Sequence, residues 1–95
     1  MIRAQLPVDE RRVATYERVM EAQERIALAR TRAGATDLEI DAALEACEPS
    51  DVESLSDEEL YSGTVARFVS ALGGRVEGSA AVFGDQTVPL PAPEG

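Results

Sequence analysis

The sequence contains no histidine and no tryptophan, and only two tyrosines and two phenylalanines. Without an imidazole there is no ordinary general base near neutral pH and no nucleophile–histidine pair. A non-enzymatic protein is therefore expected, with no catalytic residues and no cofactor. With so few aromatics, the core has to be assembled from Val, Leu, Ile and Ala. A single cysteine, Cys47, forbids an intrachain disulfide and gives no sign of an oxidising compartment. It stands at a helix end between Glu45 and Glu48, where a thiolate is disfavoured, and reads as a small, semi-buried apolar residue. No run approaches the ~20 apolar residues of a membrane span, and the opening Met1–Pro7 turns charged without an apolar signal core. The expectation is a cytoplasmic protein with no membrane attachment.

What is present is enough for one domain: 95 residues, 44% of them apolar. The net charge of −9 is unevenly distributed. Residues 1–35 carry seven Arg against five acids, residues 36–60 carry ten acids and no base, and residues 61–95 carry two Arg against three acids. A nucleic-acid binder ordinarily offers cations to phosphate, whereas the middle of this chain repels it.

Periodicity divides the chain into a lead-in at 1–8, a helical domain at 9–74, a β-hairpin at 75–90 and a disordered tail at 91–95. The first helix is predicted from Asp9, as N-cap, to about Arg32. Its apolar stripe is Val13, Tyr16, Met20, Gln23 and Ala27, broadened by Val19 and Ile26, and Gly34 follows as its C′ residue. Thr36-Asp37-Leu38-Glu39 is a capping box opening a helix at about 37–46, which Glu48-Pro49 breaks. Ser50-Asp51-Val52-Glu53 repeats the box for a very short helix, and Ser56-Asp57-Glu58-Glu59 repeats it again for a last helix that runs from there, or from Thr64, to Leu72. Tyr61, Val65, Phe68 and Leu72 form that helix's core stripe, and Gly73-Gly74 ends it. Arg75–Phe83 and Thr87–Leu90 alternate as strands around the turn pair Gly84-Asp85. Val76, Gly78, Ala80 and Val82 share one face, with Glu77, Ser79, Ala81 and Phe83 on the other. A lone two-stranded hairpin is marginal in water, so it must dock on helices or on another chain's strands, and dimerisation through Val76, Val82, Phe83 and Val88 is the expectation.

Asp37, Glu39, Asp41, Glu45 and Glu48 stand in calcium-loop register, but Ala42 occupies the sixth position, where that loop needs glycine. No metal site is expected, and a solvated acidic face is the better reading. A capped helix, a break at Glu48-Pro49 and a second capped turn instead draw the outline of a helix-turn-helix at 36–55.

Two runs carry a family resemblance. Arg30-Thr31-Arg32-Ala33-Gly34-Ala35-Thr36-Asp37-Leu38-Glu39 resembles the entry to the XRE (Cro-type) helix-turn-helix. Leu60-Tyr61-Ser62-Gly63-Thr64-Val65-Ala66-Arg67-Phe68-Val69-Ser70-Ala71-Leu72-Gly73-Gly74-Arg75-Val76 resembles the segment after the recognition helix in XRE-type antitoxins and small regulators. The resemblance spans about residues 9–90. It implies a mainly α, lambda-repressor-like fold of five helices with a C-terminal β-hairpin. It also implies a homodimer that acts as a transcriptional regulator or as the antitoxin of a partner toxin.

Carried over to this chain, the DNA-binding positions are Arg30, Arg32, Thr36, Glu48, Ser50, Glu53, Ser54, Arg67 and Arg75. Glu45 stands where the family commonly has glycine, and Asp41 where it favours a small residue. The recognition segment is acidic, where the family carries Ser, Gln, Thr and cations. Asp51, Asp57, Glu58 and Glu59 are accordingly read as contacts for a basic partner protein such as a toxin. The competing expectation is a helix-turn-helix scaffold that has lost DNA binding and serves as an acidic protein-interaction module.

Overall fold

The computed structural model of the chain describes residues 7–91, with side chains from residue 10 onward. Residues 1–6 of the expected lead-in and residues 92–95 of the expected tail lie outside them. Three helices are followed by a small antiparallel sheet: α1 (Pro7–Arg32), α2 (Asp37–Ala46), α3 (Asp57–Ala71), β1 (Arg75–Glu77), β2 (Ala80–Phe83) and β3 (Gln86–Pro89). Helix α1 starts two residues before the expected cap, so Asp9 lies inside it. Among the described residues no helix is long and apolar enough to cross a membrane.

Glycines and capping boxes set the helix boundaries. At the end of α1, Gly34 takes φ +112°, its N–H donates to the Thr31 carbonyl, and the Ala35 N–H reaches back to Arg30. This is the Schellman closure. The end of α3 repeats it: Gly73 has φ +93°, with Gly73 N–H donating to Ser70 and Gly74 N–H to Val69. The Thr36–Glu39 and Ser56–Glu59 capping boxes both form, each hydroxyl accepting from the N3 amide while the glutamate accepts from the cap amide.

The third expected box, at Ser50–Glu53, does not form. Val52–Ser54 makes a single 3-10 turn whose cap, Asp51, gives no side-chain bond. Pro49 precedes it, and Ser56 must be extended (ψ 167°) to cap α3. Residues 50–55 therefore leave room for one turn and no helix. The described chain thus has three α-helices and this turn in place of the five helices the resemblance implies.

Helix α3 is the central element, packing against α1, α2 and β1. Its Val65, Phe68 and Val69 join Ala22 and Ile26 of α1, Ile40, Ala43 and Cys47 at α2, and Ala81, Phe83 and Val88 of the sheet in one buried cluster. Tyr61 and Leu72, at the ends of the expected stripe, are half-buried against it.

On α1 the sequence-based stripe is displaced. The buried row is Thr15, Val19, Ala22 and Ile26, while Val13, Tyr16 and Met20 are 56, 40 and 55% exposed. Both rows recur at three- and four-residue steps. The core takes the one containing Ala22, whose small side chain lets a neighbouring helix approach closely.

The expected hairpin is a three-stranded meander of order β1-β2-β3. Gly78-Ser79 turns the chain between Glu77 and Ala80 just as Gly84-Asp85 does between Phe83 and Gln86. Each turn has its glycine at φ 60°, as a type II′ turn requires. The extra reversal regroups the faces. Val76 pairs with Ala81 and Ala81 with Val88, so Val76 belongs on the core-facing side rather than with Val82. Two clamps hold the sheet to α1: Arg30 Nη1 donates to Gln86 Oε1 (2.8 Å), and Gln86 Nε2 donates to the Ala29 carbonyl (3.1 Å).

Candidate functional site

The acidic middle of the chain does not gather into one site. Asp57 is half-buried and paired with Arg12 Nε at 3.3 Å, and Arg12 also donates to the Leu55 carbonyl at 2.8 Å. This ties the start of α3 to α1. The Glu59 carboxylate is engaged in its capping box. The remaining partner-binding candidates, Asp51 and Glu58, are exposed, as are Asp37, Glu39, Asp41 and Glu45 on α2 and Glu48 and Glu53 beyond it. The carboxylates in calcium-loop register ride on α2 and its exit. Among the described residues no group of three potential ligands converges on a point.

The cations expected at phosphates are mostly engaged within the chain. Arg30, besides its bond to Gln86, places its guanidinium 4.6 Å from the Phe83 ring centroid. Arg67 Nε donates to the Cys47 carbonyl at 3.3 Å, and Arg75 pairs with Glu77 along its own strand. Arg32 is exposed in the last turn of α1. The Thr36 amide, which would face a phosphate at the start of α2, is taken by Glu39 at 3.0 Å. Ser50, Glu53 and Ser54 are exposed, but they sit on the 3-10 turn and its approach rather than on a recognition helix. A turn this short cannot lie along a major groove as a helix does.

The dimerisation set also divides. Phe83 and Val88 belong to the chain's own buried core, because the meander folds its Ala81–Phe83 face onto the helices. That expectation is corrected for both residues. Val76 is exposed at the β1 edge and Val82 is half-buried.

Two grooves accompany these residues. One of about 630 Å³ lies between α1, α3 and the sheet and is lined by Arg11, Arg18, Asp57, Tyr61, Val76 and Leu90 among others. Arg11 and Arg18 line it from α1 and Asp57 and Glu58 from α3, and Arg18 stacks 4.9 Å from the Tyr61 ring centroid, so it favours no single charge. A smaller one of about 230 Å³ runs from Tyr16 and Met20 of α1 to Leu44, Cys47, Glu48 and Pro49. Sequence reasoning placed Tyr16 and Met20 in the core. It also missed the Gln86 clamp, whose only signal is a polar residue directly after a turn.

Cys47 is buried, between Gln23 Nε2, which donates to Sγ at 3.4 Å, and the Leu44 carbonyl, which accepts from it at 3.3 Å. Burial raises its pKa above the ordinary thiol value of 9.0, with the Gln23 bond and Arg67 opposing the rise. Folding therefore holds the proton more firmly than the unfolded chain does. Above the ordinary thiol value the unfolded state binds fewer protons, and stability falls as pH rises. Urea midpoints measured at increasing alkaline pH are expected to decline, and Cys47→Ala is expected to remove the first part of that decline. Tyr61, also raised by burial above 10.0, adds a later part with the same sign. The native thiol should react with a disulfide reagent far more slowly than the urea-unfolded one, because the thiolate is the attacking species.

No family model matches the chain, and neither a curated protein nor a solved structure matches it.

Proposed function

We propose that this chain is a non-enzymatic protein-interaction module, the scaffold of a small XRE-like regulator or antitoxin in which DNA contact has given way to capture of a basic partner protein. One observation carries the reading. Arg30, Arg67 and Arg75 are bound within the chain, while the segment that would enter a groove is a 3-10 turn that carries exposed Glu53 and follows exposed Asp51. A surface whose free charges are mainly carboxylates is steered towards cationic proteins, with an on-rate that falls as salt rises. A toxin with a basic surface fits that description.

A second reading, an operator-binding XRE-like regulator, draws support from the order of α2, break, turn and α3, and from exposed carboxylates able to accept from a cytosine amino group. A mobility-shift titration on genomic fragments across salt concentrations decides between the two. No sequence-specific shift is expected, and Glu53→Arg or Ser54→Arg should not create one. A specific shift with a log–log salt slope of about two or more would overturn the module in favour of the regulator.

A further inference from the structure

The apolar row that α1 leaves uncovered has a defined chemistry around it. Val13, Tyr16 and Met20 face solvent over about 10 Å of helix. Tyr16 and Met20 continue into the groove that ends at Leu44 and Pro49. In the floor of that groove is Thr64, 5% exposed, whose Oγ1 has no hydrogen-bond partner among the described residues. Beside the row, Glu10, Glu17 and Glu24 recur at seven-residue steps, all exposed. They form a carboxylate rail on the same side of the helix. Across the groove stands Glu48. Arg67 sits at that end too, but its Nε is held by the Cys47 carbonyl.

We infer that this face is the docking site for one amphipathic helix of a basic partner, its apolar edge against Tyr16 and Met20 and its lysines or arginines against the glutamate rail and Glu48. The inference rests on the acidic-module reading and gives it a surface. A second copy of this chain is the poorer occupant. Antiparallel pairing of two α1 helices through this row sets glutamate rail against glutamate rail, which repels. Parallel pairing needs countercharges on the other flank, where Val19 and Ile26 are buried in the chain's own core. The helical spacing of the row and the trough beside it match helix-in-groove recognition, with anchors at three- and four-residue steps.

The test uses the full chain and a synthetic helical peptide of about three heptads, leucine on one edge and lysine on both flanks. Two comparison peptides accompany it, one with glutamate flanks and one with the lysine peptide's residues scrambled. Isothermal titration is expected to show binding of the lysine-flanked peptide alone. Affinity should fall at least about tenfold for Met20→Asp and for the double variant Glu17→Lys, Glu24→Lys. Leu38→Asp, at an exposed leucine of α2, should leave it unchanged. Circular dichroism checks that each variant keeps its helices, which is expected because every altered side chain is exposed. Binding of the lysine peptide that neither set of α1 variants weakens would overturn this face and leave the acidic-module reading standing. Equal binding of the scrambled peptide would do the same. Sedimentation showing self-association that Met20→Asp abolishes would assign the face to a second copy and overturn the proposal. Failure of every peptide, together with a specific DNA shift, would overturn both the face and the reading beneath it.

Discussion

Phe68→Ala is expected to lower the stability of this domain by about 3–5 kcal/mol, measured as a shift of the urea midpoint at unchanged slope. A domain of this size is held by roughly 5–15 kcal/mol in all, so the variant should be partly unfolded at physiological temperature. The reason is position as much as size. Phe68 has no exposed surface and lies on α3, the helix that touches α1, α2 and the sheet. Truncating it opens a cavity at the meeting point of all the layers, where no single element can relax to fill it. The chain has only two phenylalanines, so little other large aromatic volume can take its place. Leu38→Ala, on the exposed side of α2, is the companion measurement and should stay within about 0.5 kcal/mol. A loss below about 1 kcal/mol at Phe68 would show that the core is not organised around α3.

Gly74→Ala is the second large effect, and it runs against the usual expectation for helix ends. Gly73 has the left-handed backbone, yet a methyl group there meets nothing within 4 Å, so Gly73→Ala should cost only about 1 kcal/mol of strain. Gly74 has no such φ. A Cβ there would come within 2.6 Å of the Val82 carbonyl oxygen and 2.6 Å of Phe83 Cε1. The Val82 carbonyl is backbone of the middle strand and the Phe83 ring is buried beneath Arg30, so neither can give way cheaply. The expected cost is about 2–3 kcal/mol, with the sheet displaced before the helices. Hydrogen exchange should show it as lost protection across residues 75–89 while Ile26 and Phe68 amides stay protected. A smaller cost at Gly74 than at Gly73 would refute the close approach of sheet to helix end.

Both predictions concern the junction of α3 and the sheet, and that junction also bears on the proposed function. By folding Ala81, Phe83 and Val88 onto the helices, the meander takes into the chain's own core two residues that the sequence reading assigned to a contact between chains. The Arg30–Gln86 clamp, on the same face of the sheet as Phe83 and Val88, likewise takes up a guanidinium expected at phosphate. The same packing that stabilises the sheet therefore withdraws both groups from external partners, leaving an exterior whose uncommitted charges are mainly carboxylates.

The helix boundaries were legible because capping is a local matter. Thr36 with Glu39, Ser56 with Glu59, and the glycines at 34 and 73 act within a turn of themselves, and the chain's own backbone supplies their partners. The Ser50 box failed for a reason also present in the sequence: Pro49 and the next cap at Ser56 stand too close for a helix between them. Gly78-Ser79 was equally readable, being the same glycine-then-polar pair as Gly84-Asp85, but the apolar alternation running through it read as one strand.

The α1 stripe is different. Two rows on that helix satisfy the same periodicity, and no property of α1 alone chooses between Val13–Tyr16–Met20 and Val19–Ala22–Ile26. Local chemistry thus determined where the helices and turns fall, that the middle of the chain is acidic, and that the chain has no imidazole. Tertiary packing decided which face of α1 is buried, which arginines are bound within the chain, and which strand residues belong to the core. Each of these depends on how closely distant segments approach, a distance that periodicity and composition do not encode.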